Sequence, residues 1–327
     1  MTTKSMAIVG FTALVAASFG CSQDSSKDTS KCNQVGSLNT TGDEATQAVK
    51  QAKVVVVNRG EAPYAPLRYN WKSGVEQAII VDIEANQMAE TEKFTLPDIA
   101  LPPIRIQGSM KSEKANETDK HTQLTFTIKS IEVFSDPQLP QTAINALKQE
   151  LKKTQGFKIV ATMTQQSIAS KVVFEIPEGA TPRTVAVSDQ AMNVFRLLNI
   201  PLPAEPVGVG AKWDFYIPIN SSSESFTEKR SYELYALEGK VASIRAVVDR
   251  AGGEMQVTMP GVDDNVTVVV QGIEGHGLGQ ATLVLDNIAP KASYTMSTKR
   301  VLAISNGKDE ESVATMTNTY VRFQPTN

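Results

Sequence analysis

Ser225-Phe-Thr-Glu-Lys-Arg-Ser-Tyr-Glu-Leu-Tyr-Ala-Leu-Glu-Gly-Lys-Val-Ala-Ser-Ile-Arg-Ala-Val-Val248 is the stretch that decides the fold. Two runs, 225–236 and 240–248, alternate at period two and are separated by the turn pair Glu238-Gly239. That pattern specifies an antiparallel hairpin. The same grammar continues on both sides. Strands are expected near Lys212–Ile219, Glu254–Met259, Val266–Gly272, Gly279–Leu285, Lys291–Ile304 and Ser312–Phe323. Ala251-Gly-Gly253, Asn287–Pro290 and Asn306-Gly307 supply turn chemistry between them. Connections this short favour an antiparallel meander over parallel pairing. A meander of such length must curl into a barrel or half-barrel, or split into two packed sheets, to manage its edges.

The first half reads less uniformly. Folding is expected to begin near Val54-Val-Val-Val57. Leu67, Tyr69 and Trp71 point one way and Arg68, Asn70 and Lys72 the other, which predicts a strand turning at Ser73-Gly74. Ile79, Val81, Ile83 and Ala85 alternate on the return. Three prolines in Thr95–Pro103 argue against a central strand there. Hairpins follow at Ile104–Lys114 with Gln123–Phe134, and at Gly156–Thr164 with Ser170–Ile176. Two segments have helical spacing. Pro140–Gln155 carries Ile144, Leu147 and Leu151 before Gly156. Val187–Asn199 presents Ala191, Met192, Phe195 and Leu198 on one face, with Ser188 or Asp189 as the cap. The fold class expected is therefore mainly β (α+β), a long antiparallel meander with two helices near 140–155 and 187–199. Its N-terminal half spans 54–200 and its C-terminal half 201–327.

Upstream of that body, Met6–Gly20 is an uncharged apolar run behind Lys4. It is shorter than the ~20 residues of a membrane span but suits the core of an export signal, so 1–20 is expected to be a signal peptide. Ser18-Phe19-Gly20-Cys21 resembles the bacterial lipobox, whose cysteine is lipidated and becomes the mature N-terminus. Gly20 and Cys21 match it, whereas Ser18 replaces the usual Leu and Phe19 is bulky. Cys21 is the expected lipidation site. The rival reading is ordinary cleavage with a Cys21–Cys32 disulfide in an oxidising compartment. Residues 21–53 are polar and read as a flexible tether. Ser22, rather than Asp, after the cysteine favours the outer over the inner membrane of a bacterial envelope.

Composition narrows the function classes. The chain has 327 residues, 41% hydrophobic and 20% charged, with a net charge of -3. That balance describes a globular protein and gives no electrostatic case for nucleic acid. Two histidines and two cysteines make a conventional zinc or iron–sulfur site hard to assemble, and no cofactor or metal ligand set is expected. His121 reads as a hairpin-tip residue. His276 lies in Gly275-His-Gly-Leu-Gly279, where a β-run follows the glycines instead of the helix that phosphate cradling needs, so a bulge or bend is expected. Asp263-Asp264 reads as a turn. No hydrolase, protease or redox signature is present, and no catalytic residue is assigned.

Leu202-Pro-Ala-Glu-Pro-Val-Gly-Val-Gly-Ala-Lys-Trp213, with Pro66-Leu-Arg-Tyr69, Gly74 and Gly277-x-Gly-x-Ala-x-x-x-x-Asp286, resembles the signature of an uncharacterised family of β-rich bacterial envelope lipoproteins. The resemblance spans most of 60–304 and implies export and lipid anchoring without any activity. In the segment itself, Pro203 and Pro206 stiffen the chain, Gly208 and Gly210 permit a tight turn, and Trp213 anchors the next strand in the core. The architecture is also similar to the half-barrel of the periplasmic lipoprotein carriers, which hold acyl chains between sheet and helices. The expected function is non-enzymatic: membrane association through the anchor, with a lipid or other hydrophobic ligand, or an envelope partner, held by the curved sheet. The competing expectation is a packed interaction module without a cavity.

Overall fold

The computed structural model describes residues 51–91, 95, 99–115, 121–135, 139–177, 196–220, 225–257, 266–307 and 309–326. The signal peptide, Cys21, Cys32, nearly all of the tether and Asp263-Asp264 lie outside these residues. So does most of the helix expected over 187–199, of which 196–198 are described and helical.

The body is one open antiparallel sheet of thirteen strands, neither closed into a barrel nor split into two sheets. In chain order they are β1 (Lys53–Asn58), β2 (Glu76–Thr91), β3 (Ile99–Lys114), β4 (Thr122–Val133), β5 (Lys158–Met163), β6 (Ala169–Glu175) and β7 (Lys212–Asn220). β8 (Ser225–Glu238), β9 (Val241–Gly252), β10 (Met255–Val257), β11 (Thr267–Val284), β12 (Lys291–Ser305) and β13 (Glu310–Thr326) follow. Helix α1 (Gln141–Lys152) packs Ile144, Leu147 and Leu151 onto Val133 at the end of β4. These are the residues that its 3.6-residue period selects.

The meander is permuted in space, running β1-β7-β8-β9-β11-β12-β13-β2-β3-β4-β5-β6, with β10 attached to β11. The two sequence halves therefore share one sheet, joined where β13 pairs with β2 from Val313↔Thr91 to Thr326↔Ala78. The sheet is strongly curved. β7 lies near one end of this order and β5 and β6 at the other, yet Phe215 and Ile217 of β7 line the same hollow as Ile159 and Val172. One continuous core fills the concave side, from Ile128 and Ile159 through Trp213 and Ile244 to Phe323.

Three expectations need correction. Leu67–Lys72 is not a strand. It is an extended strap whose amides reach loops, Tyr69 N–H donating to the Gln165 carbonyl at 2.9 Å and Asn70 N–H to Leu285 at 2.8 Å. The burial alternation survives because Leu67 and Tyr69 still face the core. Second, β3 runs through Pro102 and Pro103. Its pairing with β4 begins only at Ile104↔Val133, so the prolines sit where β3 is locally an edge and opposite a register shift in β2. Proline is tolerated there because no ladder amide is needed.

Third, Gly275-His-Gly-Leu-Gly279, expected to mark a bulge or bend between two strands, is the continuously paired middle of the 18-residue strand β11, whose register shift lies before it, between Val270 and Gly272. Gly277 and Gly279 face Met296 and Tyr294 directly across the ladder. A Cβ on Gly279 would stand 2.3 Å from the Tyr294 ring, and one on Gly277 2.0 Å from Met296 Sδ. The glycines make room for two buried side chains of β12 that lie over the neighbouring strand.

Candidate functional site

The site starts from a departure in the alternation of β8. Phe226, Glu228, Arg230, Tyr232 and Leu234 share the inward phase, so two charged side chains occupy core positions. Glu228 and Arg230 are each only 2% exposed. Unpaired charges there would be prohibitive, and they are paired. Arg230 Nε donates to Glu228 Oε1 at 2.6 Å and its other terminal nitrogen lies 2.5 Å from the same oxygen. Arg250, opposite Glu228 on β9, donates from Nε to Oε2 at 2.7 Å. Burial pushes the Glu228 carboxyl upward, but the two guanidiniums outweigh it and hold the group at about 2. Burial works against the Arg230 charge, yet the Glu228 carboxylate outweighs it and raises that group above its ordinary value. The trio sets two guanidiniums against one carboxylate and so carries a net positive charge.

The remaining arm of Arg230 organises the chain above it. Its Nη1 donates to the carbonyls of Arg196 at 2.7 Å and Asn199 at 3.1 Å. The next carbonyls are held in turn, Ile200 by the Tyr69 hydroxyl at 3.2 Å and Pro201 by Trp213 Nε1 at 2.8 Å. Leu202 N–H donates to Gln166 in the β5–β6 turn at 2.8 Å, and Ser167 of that turn bonds to Asn199 Oδ1. The segment from Arg196 to Leu202, helical only over 196–198, is thereby fastened across the concave face by side chains from β7, β8 and the strap. This satisfies its buried backbone acceptors. Gly208 completes the joint, for a Cβ there would lie 1.7 Å from the Glu61 carbonyl oxygen. Trp213 is fully buried and stacks on Tyr232 at 5.6 Å, as expected of the anchor.

Beside this fastening lies a cavity of about 110 Å³. Met110, Leu124, Phe126, Ile159, Met163 and Val172 form one wall, and Phe215 and Ile217 the opposite one. Tyr69, Trp71, Ile288 and Pro290 close a third side. The polar groups, Ser167, Arg196, Asn199 and Arg230, come from the fastened segment, the β5–β6 turn and β8. In this measure one water needs roughly 10–15 Å³, so the space exceeds a packing defect severalfold. Around Arg230, the Tyr294 hydroxyl is buried without a hydrogen-bond partner among the described residues, and the Tyr232 hydroxyl, beside the guanidinium, has no acceptor there for its own proton. Burial raises both phenols, so they stay protonated donors.

The other candidates lie elsewhere. His276 is on the outward face of β11, 63% exposed, with Nδ1 2.8 Å from Asp249 Oδ1. Ser297 stands opposite it on β12, so Asp249, His276 and Ser297 share one cross-strand row. The row has the residue types of a nucleophilic triad but sits on a sheet face whose amides are engaged in ladders on both sides, where no oxyanion donors converge. His121 closes the β3–β4 hairpin, its carbonyl accepting from Ala115 N–H at 3.2 Å. No group of three metal-ligating side chains occurs among the described residues. None of their helices is long and apolar enough to cross a membrane.

Glu228, Arg230, Arg250 and the cavity were not singled out from the sequence. The available signal was the phase of Glu228 and Arg230, which is that of Phe226, Tyr232 and Leu234. No protein-family model matches the chain, and no curated protein matches it significantly.

Proposed function

We propose that this protein is a non-enzymatic, lipid-anchored component of a bacterial envelope whose curved sheet receives a hydrophobic ligand in its hollow. The observation that carries the reading is the cavity of about 110 Å³, apolar on three sides, between the two ends of a single open sheet. Concave, mostly apolar spaces with a few convergent polar groups are the usual form of small-molecule sites. The anchor rests on the Lys4–Cys21 pattern, with Cys21 as the lipidated residue and the outer membrane as the favoured location. One lipidated residue with several acyl chains holds a protein at a bilayer without a spanning helix. The rival, a packed interaction module, is favoured only by the modest size of the cavity.

Solvent extraction and lipid mass spectrometry of the chain carrying Cys21→Ser, purified without detergent, test the ligand. Substoichiometric to stoichiometric acyl species should be recovered after extensive washing. A preparation free of lipid that also takes up none when incubated with envelope lipids would support the packed module instead.

A further inference from the structure

We infer that the cavity takes a medium-chain carboxylate, its head at Arg230 and Asn199 and its hydrocarbon chain among Met110, Leu124, Phe126 and Ile159. This rests on the reading that the hollow holds a hydrophobic ligand, and it assigns the chemistry of the head.

The argument is an inventory of donors and acceptors. Both Glu228 oxygens are taken, one by Arg230 and one by Arg250. Arg230 has five N–H groups. Its contacts to Glu228 use Nε and one terminal hydrogen, and the carbonyls of Arg196 and Asn199 use two more. The fifth is shared with the Tyr232 hydroxyl. Asn199 accepts from Ser167 through Oδ1 and retains its amide hydrogens as donors. Tyr232 and Tyr294, which act electrostatically on the same guanidinium, have hydroxyls with no acceptor among the described residues. Every surplus group around Arg230 among the described residues is therefore a donor, and the Arg–Glu–Arg trio has one more positive charge than negative. The missing complement is an acceptor with negative charge.

Apart from Ser167 and Arg196 the remaining lining is apolar, so the rest of the molecule is hydrocarbon. A carboxylate fits better than a phosphate. A phosphate brings more oxygens and up to two charges, against the trio's single surplus positive charge and one amide, since the Arg196 side chain that also lines the hollow has a partner of its own. Length follows from volume: about 110 Å³ corresponds to about seven to eleven water-sized units, and hence to a chain of about that many carbons.

Calorimetric titration of the full chain at neutral pH with decanoate, methyl decanoate and decyltrimethylammonium tests this. The three share a tail and differ in head charge. Decanoate should bind about tenfold or more tightly than its methyl ester, the scale of hydrogen bonds to an ionised partner, and the ammonium most weakly. In Glu228→Gln/Arg230→Met the ratio of acid to ester affinity should fall severalfold. If that variant does not fold, the three-ligand order in the unaltered protein decides alone. Equal affinity for acid and ester, or tightest binding of the ammonium, would overturn the head assignment and leave the hydrophobic reading standing. Failure of all three to bind would overturn both.

Discussion

Arg230→Met alone should destabilise the fold by about 3–5 kcal/mol in urea denaturation at pH 7, whereas Glu228→Gln/Arg230→Met should cost much less. The single change leaves a 2%-exposed carboxylate in the core with only the more exposed Arg250 beside it. Both variants release the carbonyls of Arg196 and Asn199, so the contrast between them reports the stranded carboxylate. The double change removes the carboxylate with its partner and leaves two side chains of similar volume.

The trio should also make stability depend on pH in a defined direction. Glu228 titrates at about 2 in the folded protein against an ordinary value of 4.5. Its contribution is therefore complete above pH 4.5 and is lost as the pH falls from 4.5 through 2. The full amount is on the order of 3 kcal/mol. Glu228→Gln/Arg230→Met should lack this component. A single variant no less stable than the double would sink the assignment of Arg230 as the partner that makes Glu228 tolerable.

The second large effect is expected at Trp213→Ala. The indole is fully buried, stacks on Tyr232 and donates to the Pro201 carbonyl at 2.8 Å. Removing it costs the transfer and cavity terms of a large aromatic, about 3–5 kcal/mol, and strands a buried acceptor besides. The consequence should be local as well as global. Amide exchange at Leu202, whose N–H donates to Gln166, should accelerate more than exchange in the distant β12–β13 ladder. Equal acceleration in both places would mean that Trp213 is a core residue like any other and does not fasten the 199–202 segment.

The sheet was legible where side-chain phase and hydrogen-bonding phase coincide. β7, β8, β9, β12 and β13 begin or end within a few residues of their expected limits, because both faces of each strand follow the period and turn residues mark the ends. Legibility failed where the two kinds of phase part. Leu67 and Tyr69 alternate in burial although their backbone pairs with no neighbouring strand. Gly277 and Gly279 look like turn residues, but their role is to clear space for Met296 and Tyr294 from the adjacent strand, which one strand's sequence does not reveal. The permuted order was also hidden, since β13 meets β2 across more than two hundred residues.

The site was harder for a related reason. A charged residue at an inward position reads as an exposed one until its partners are known, and Glu228 meets Arg250 only through the β8–β9 register. The cavity is a property of curvature, set by how far β7 swings toward β5 and β6. The residues along its walls are ordinary core residues by type.

The central claim, that the hollow binds an acyl chain, is tested most directly by contact with Trp71. This side chain lines the cavity, and the chain's other tryptophan, Trp213, does not. Titration with decanoate brominated along its chain should quench Trp71 emission in a saturable manner, competed by unlabelled decanoate, and the quenching should disappear in Trp71→Phe. Emission unaltered at ligand concentrations that saturate calorimetric binding would contradict the account, since it would place the ligand outside the hollow.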